Sequence, residues 1–132
     1  MSIQFDGKKI TVFGGSGFIG KHLVSKLSNY NCSIEIITRK SGNNKELKFL
    51  GGLGQVKVKI SNSFDENHLK SLISGSDIVI NLIGILYEKK NQKFENVHSH
   101  IPKTIAKVSK KVGVKNFLHL SSLGIDKNSF SK

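Results

Sequence analysis

The sequence predicts one α/β domain, a doubly wound parallel sheet with strand order 3-2-1-4-5. Three observations predict it. Along 132 residues, five short apolar runs alternate with amphipathic segments of helical period. The connections between them are short and suit right-handed crossovers. A cluster of glycines stands directly between the first run and the first amphipathic segment, where a strand feeds a helix. The length fits a single domain of roughly 100–200 residues.

The elements follow in order. Lys9-Ile10-Thr11-Val12-Phe13 is the first strand. From Phe18 to Ser28 the residues Ile19, Leu23, Val24 and Leu27 recur at helical spacing. Ile34 to Thr38 is a second, β-branched strand. Asn43 with Glu46 resembles a capping box for a short helix through Leu47 and Leu50, stopped by Gly51-Gly52. Val56 to Ile60 is the third strand. Ser63 with Glu66 repeats the cap pattern before Leu69, Leu72 and Ile73, and Gly75 ends that helix. Asp77 to Leu82 is nearly continuously apolar, as a strand covered on both faces should be. A long helix carries Ile101, Ile105, Val108 and Val112 on one side and Lys103, Lys107, Lys110 and Lys111 on the other. Pro102 predicts a kink or a helix start there. Asn116 to Leu120 is the fifth strand, expected at an exposed edge with Phe117 and Leu118 beside it.

Composition excludes several classes. The chain is 37% apolar and 23% charged, enough for a real core. Cys32 is alone, which excludes an internal disulfide and a multi-cysteine metal site. The most apolar stretch, Ile78 to Tyr87, is too short to span a bilayer. The amino-terminal residues carry no export or import pattern, so a cytoplasmic or matrix-side location is expected. The net charge of +12 invites an anionic partner. Yet Arg39 is the sole arginine and the lysines are spread along the chain. A solvated lysine surface therefore fits better than a nucleic-acid footprint, which leans on arginine forks.

Chemistry concentrates at Gly14-Gly15-Ser16-Gly17-Phe18-Ile19-Gly20, a G-x-x-G-x-x-G turn. Glycine permits the tight turn and lets backbone approach a pyrophosphate, while the following helix presents free N–H groups to it. The Gly-Lys-Ser/Thr phosphate loop is not matched, because His22 follows Gly20-Lys21. The strand-turn-helix setting predicts a Rossmann-type dinucleotide site. Arg39 stands at the end of the second strand, where an NAD-preferring protein carries a carboxylate for the ribose 2′-hydroxyl. A positive side chain there suits the 2′-phosphate of NADP, so NADP is expected over NAD.

These segments resemble the extended and atypical short-chain dehydrogenase/reductases. Asn81-Leu82-Ile83-Gly84-Ile85-Leu86, Phe94 with Val97-His98, Gly113-Val114 and Phe117-Leu118-His119-Leu120-Ser121 resemble one branch in particular. That branch comprises the NADP-binding accessory subunit of respiratory complex I and its bacterial relatives. The resemblance covers the whole chain but only the amino-terminal part of such proteins, and so implies a sheet truncated after strand five. It implies that Gly14, Ser16, Gly17, Phe18 and Ile19 surround the pyrophosphate and that Arg39 meets the adenosine phosphate. It further implies that Asn62 contacts adenine, that Leu82, Ile83 and Gly84 line the cofactor, and that Ser121 ends strand five near the reactive side. Complex I subunits are the implied partners, with any membrane association peripheral and through them.

Catalysis is a separate matter. Active relatives need Tyr-x-x-x-Lys, in which lysine lowers the tyrosine pKa. Tyr30 is followed four residues on by Ile34, and Tyr87 by Asn91. The resemblance implies that the tyrosine falls about a dozen residues past the strand-five serine, beyond Lys132. The chain as given is expected not to turn over. His98 and His100 have no third ligand nearby, so no metal is expected. His119 is expected to be packed and hydrogen-bonded, and Cys32 to be a buried or half-buried thiol with no basic neighbour to lower its pKa. Two functions lead, a nucleotide-binding module of the complex I type and a truncated NADP-dependent reductase, dehydratase or epimerase, with a nucleotide-sensing regulator that binds another protein as a third.

Overall fold

The computed structural model describes residues 4–14, 18–39, 45–61, 65–83 and 101–119. The elements run β1 (Lys9–Phe13), α1 (Phe18–Leu27), β2 (Ser33–Thr38), α2 (Lys45–Lys48), β3 (Val56–Ile60), α3 (Glu66–Ile73), β4 (Ile78–Asn81), α4 (Ile101–Lys111) and β5 (Asn116–His119). All five strands pair in parallel, in the order β3-β2-β1-β4-β5. This is the predicted doubly wound sheet, with its reversal between β1 and β4.

Alternation along the strands divides the core into two layers. Ile10, Val12, Ile34, Ile36, Val56, Ile78 and Ile80 pack with Val24 and Leu27 of α1 and Leu47 of α2. On the other face Phe13, Ile37 and Val79 pack with Leu69, Leu72 and Ile73 of α3 and Ile105 and Val108 of α4. Both faces of the central strands are therefore dry, which explains why β4 reads as an almost unbroken apolar run.

Two local expectations shift, and a third, the helix start at Pro102, holds. The second helix is a single turn, Lys45–Lys48, and does not reach Leu50, since three glycines, Gly51, Gly52 and Gly54, follow within a few residues. The cap of α3 is Asp65, not Ser63. Asp65 is extended (φ −61°, ψ 142°) and its Oδ2 accepts the His68 N–H at 3.4 Å. Pro102 occupies the second position of α4, where the missing N–H leaves no helical bond unmade. Gly75, φ 85°, follows the Ser74 cap in the left-handed conformation that ends α3. Among the described residues β5 lies at the outer edge of the sheet, with Phe117 half-buried and Leu118 37% exposed.

Candidate functional site

The two central strands end side by side, with Gly14 directly after β1. Gly14 follows β1 with φ 86°. Its N–H donates to the Ile37 carbonyl at 3.0 Å, and the Leu82 N–H donates to the Phe13 carbonyl at 2.8 Å. A Cβ on Gly14 would stand 3.1 Å from the Ile83 nitrogen and 3.2 Å from the Leu82 carbonyl carbon. Glycine is required here twice, by its positive φ and by the approach of the β4 backbone. The turn thus presses the chain after β1 against the chain after β4, at the crevice where open parallel sheets bind ligands.

Asn81 secures the β4 side of that crevice. It is fully buried at the end of the strand. Its Oδ1 accepts the Ile83 N–H at 3.2 Å, and its Nδ2 lies 3.0 Å from His119 Nδ1 on β5. Because the amide nitrogen donates, His119 accepts through Nδ1, and its proton resides on Nε2 when the ring is neutral. His119 is hydrogen-bonded as expected but is exposed, not packed. Its strand is the last of the five in the sheet order, and His119 belongs to neither core cluster.

At the neighbouring strand ends, the buried Thr38 accepts the Ser61 N–H at 2.9 Å. Ser61 Oγ lies 2.8 Å from His68 Nε2. Arg39 follows Thr38 directly and is exposed. Arg39 thus stands at the carboxyl end of β2, the strand that pairs with β1.

Of the residues predicted for the site, Gly14, Leu82 and Ile83 come together. Ile19 is half-buried in the first turn of α1, and Arg39 stands at the β2 rim. Phe18 opens α1. Ser16, Gly17, Asn62, Gly84 and Ser121 lie outside the described residues. Asn81, His119, Ser61 and His68 are the polar members of this end that sequence reasoning did not assign to the site. The available signal for Asn81 was an amide in an otherwise apolar strand. Tyr30 packs against Phe5, ring centroids 5.1 Å apart, beside the loop that leads into β2, and so lies at the opposite end of the sheet. Among the described residues no group of three His, Cys, Asp or Glu side chains is arranged to hold a metal. Nor is any helix among them long and apolar enough to cross a membrane.

Comparison with known proteins agrees with this architecture. The chain is 35% identical over 134 residues to the mitochondrial NADH dehydrogenase (ubiquinone) 1 alpha subcomplex subunit 9 of Mus musculus, a match covering 96% of the chain and 34% of that protein. It is 37% identical over 123 residues to the mitochondrial NADH-ubiquinone oxidoreductase 40 kDa subunit of Neurospora crassa, covering 93% and 33%. The chain thus spans about a third of the length of these relatives. Among solved structures it is similar to a short-chain dehydrogenase/reductase of Veillonella parvula in complex with NADP (TM-score 0.65, 17% identity, 91% of this chain and 50% of that one). It is also similar to a variant uronate dehydrogenase of Agrobacterium tumefaciens complexed with NAD (TM-score 0.68, 15% identity, 86% and 40%). Those two likenesses speak for the fold. Residues 6–132 match the model of the NmrA-like family, and the chain belongs to that family.

Proposed function

We propose that the chain is an NADP(H)-binding Rossmann module of the complex I accessory-subunit type, which holds its nucleotide for a structural or regulatory purpose. The observation that carries this reading is the glycine-tight closure of Gly14 on Leu82 and Ile83 at the sheet's switch point. That closure brings the chain after β1 against the chain after β4, four residues before α1 begins. Arg39 at the β2 rim supports the phosphorylated dinucleotide, because its fork matches a phosphate and no carboxylate stands in its place. The complex I subunits among the relatives support the partner class. When bound, the dinucleotide would supply hydride chemistry. This chain's part would be to hold the pyrophosphate at the Gly14 turn and the adenosine phosphate at Arg39. Ser16, Gly17, Phe18, Ile19, Asn62, Leu82, Ile83, Gly84 and Ser121 complete the proposed lining.

A reductase or dehydrogenase reading is favoured by one observation, 29% identity over 126 residues to a decarboxylating sterol-4-alpha-carboxylate 3-dehydrogenase of Dictyostelium discoideum. The relatives that share 35–37% identity with the chain are complex I subunits, which favours the binding module.

Calorimetric titration with NADPH and NADH, for the wild type and Arg39→Glu, tests the proposal. The wild type should prefer NADPH roughly tenfold or more, a difference of about 1.4 kcal/mol. Arg39→Glu should abolish that preference while retaining NADH. Equal binding of both nucleotides by the wild type would refute the role of Arg39.

A further inference from the structure

At the opposite end of the sheet, the loop between α2 and β3 forms an apolar ridge. Leu53 is 106% exposed and Phe49 79%, the two most exposed large hydrophobic side chains among the described residues. The base of the ridge is fastened. Gln55 Oε1 accepts the Gly52 N–H at 2.8 Å, and Gln55 Nε2 donates to the carbonyls of Tyr30 at 3.0 Å and Cys32 at 3.1 Å. The crest is glycine-built, with Gly54 at φ 73° and open space around it.

Two hollows flank this crest and share Gly52, Leu53 and Gly54. One, about 640 Å³, is lined by Lys48, Lys57 and Lys59. The other, about 650 Å³, is lined by Lys8, Lys9 and Asp77. Asp77 is the only carboxylate in either lining, and its Oδ2 already accepts the Lys9 backbone N–H at 2.9 Å. Lys9 and Lys59 pair with Glu35 at 3.7 and 3.2 Å. Lys8, Lys48 and Lys57 have no carboxylate in ion-pair range among the described residues. Single exposed hydrophobic residues are ordinary. Two on one ridge, with ammonium groups on both flanks, call for an occupant that is apolar inside and anionic at its surface.

The shape chooses among occupants. A second copy of the chain would bring the same lysines against one another. A folded acidic partner needs roughly 800 Å² of complementary surface on each side, and a crest between two hollows would leave both hollows empty. Lipid is fluid and fills them. It accepts Phe49 and Leu53 below the headgroups while anionic headgroups meet the ammonium groups. We infer that the Phe49–Leu53 ridge with its flanking lysines docks on an anionic lipid surface. The ridge lies at the amino ends of the strands and Gly14 at their carboxyl ends, so docking leaves the nucleotide crevice facing away from the lipid. The inference therefore stands apart from the nucleotide reading.

Co-sedimentation of the full protein with vesicles tests it, using phosphatidylcholine alone and phosphatidylcholine mixed with phosphatidylglycerol, at physiological ionic strength. Partition should require the anionic lipid. Phe49→Ser and Leu53→Ser should each lower it roughly tenfold, and Lys57→Glu roughly fivefold or more. Lys103→Glu with Lys110→Glu on α4 removes twice as much positive charge elsewhere and should still change partition little. Circular dichroism that overlays the wild type establishes that each variant is folded. Equal loss on the α4 reversal, indifference to Phe49→Ser and Leu53→Ser, or no partition at all overturns the inference. Retention by a protein component in place of vesicles would assign the ridge to a protein partner and overturn it equally.

Discussion

Gly14 and Asn81 do the same job from two sides, holding the ends of β1 and β4 together where no regular ladder continues. Gly14→Ala would put a side chain on a backbone at φ 86° and 3.1 Å from the Ile83 nitrogen. We expect a loss of about 1–3 kcal/mol in urea denaturation. Gly54→Ala, with its Cβ in open space, isolates the conformational part and should be milder. Asn81→Leu would leave the part-buried Ile83 N–H without its acceptor and break the tie to His119, with an expected loss of about 1–3 kcal/mol by the same measurement. The importance of Gly14 was legible because a glycine at that place in a strand-turn-helix has a physical purpose. The Asn81–His119 pair was not, since it joins residues far apart in sequence and exists only through the β4–β5 register that sets them opposite one another. Cys32 behaves as its surroundings dictate: burial, with Asp6 adding to it, pushes the thiol above its ordinary pKa. Alkylation of the folded protein near pH 8 should be slow and should accelerate on addition of denaturant.

Among the elements, α3 shows how local signals compete. Ser63 and Asp65 are both good caps by type, and Ser63 with Glu66 fits a capping box. The carboxylate of Asp65, three residues before His68, takes the amide. Asp65→Ala should cost about 1 kcal/mol, read as a lower thermal midpoint. The start and end of β3 and β1 were legible because glycine or polar residues bracket them. The brevity of α2 was not, because Leu47 and Leu50 keep the helical spacing even though the helix ends at Lys48. α3 and α4 are tied by Glu66, which meets Lys107 at 2.8 Å and Lys111 at 3.4 Å. Hydrogen bonds from these two lysines hold the Glu66 carboxyl below its ordinary pKa. A depressed folded-state pKa means that the tie contributes above the ordinary carboxylate range and is lost as pH falls through the lowered value. The stability difference between wild type and Glu66→Gln should therefore be present at neutral pH, shrink in acid and weaken with salt. The exposed setting makes it small.

For the whole molecule, chain order alone implied the parallel sheet and its strand order, because alternating strands and helices with short connections leave few right-handed topologies. The resemblance to the short-chain dehydrogenase/reductases and the complex I branch, read from the Gly14 turn and from Asn81 to Leu86, agrees with the relatives and with the solved folds. Charge was harder to read. A total of +12 says nothing about place, and only the fold gathers Lys8, Lys48 and Lys57 around Leu53. The two ends of the sheet differ in character: Gly14 closes on Ile83 at the carboxyl end, and the exposed Phe49 and Leu53 mark the amino end. The nucleotide assignment is the central claim, and an NMR titration of the isotope-labelled protein with NADPH tests it most directly. Amide shifts of Gly14, Ile19, Arg39 and Ile83 should move together and saturate, while those of Gly52 and Leu53 stay fixed. Saturable shifts at the amino end, or none at Gly14 and Ile83, would contradict the account.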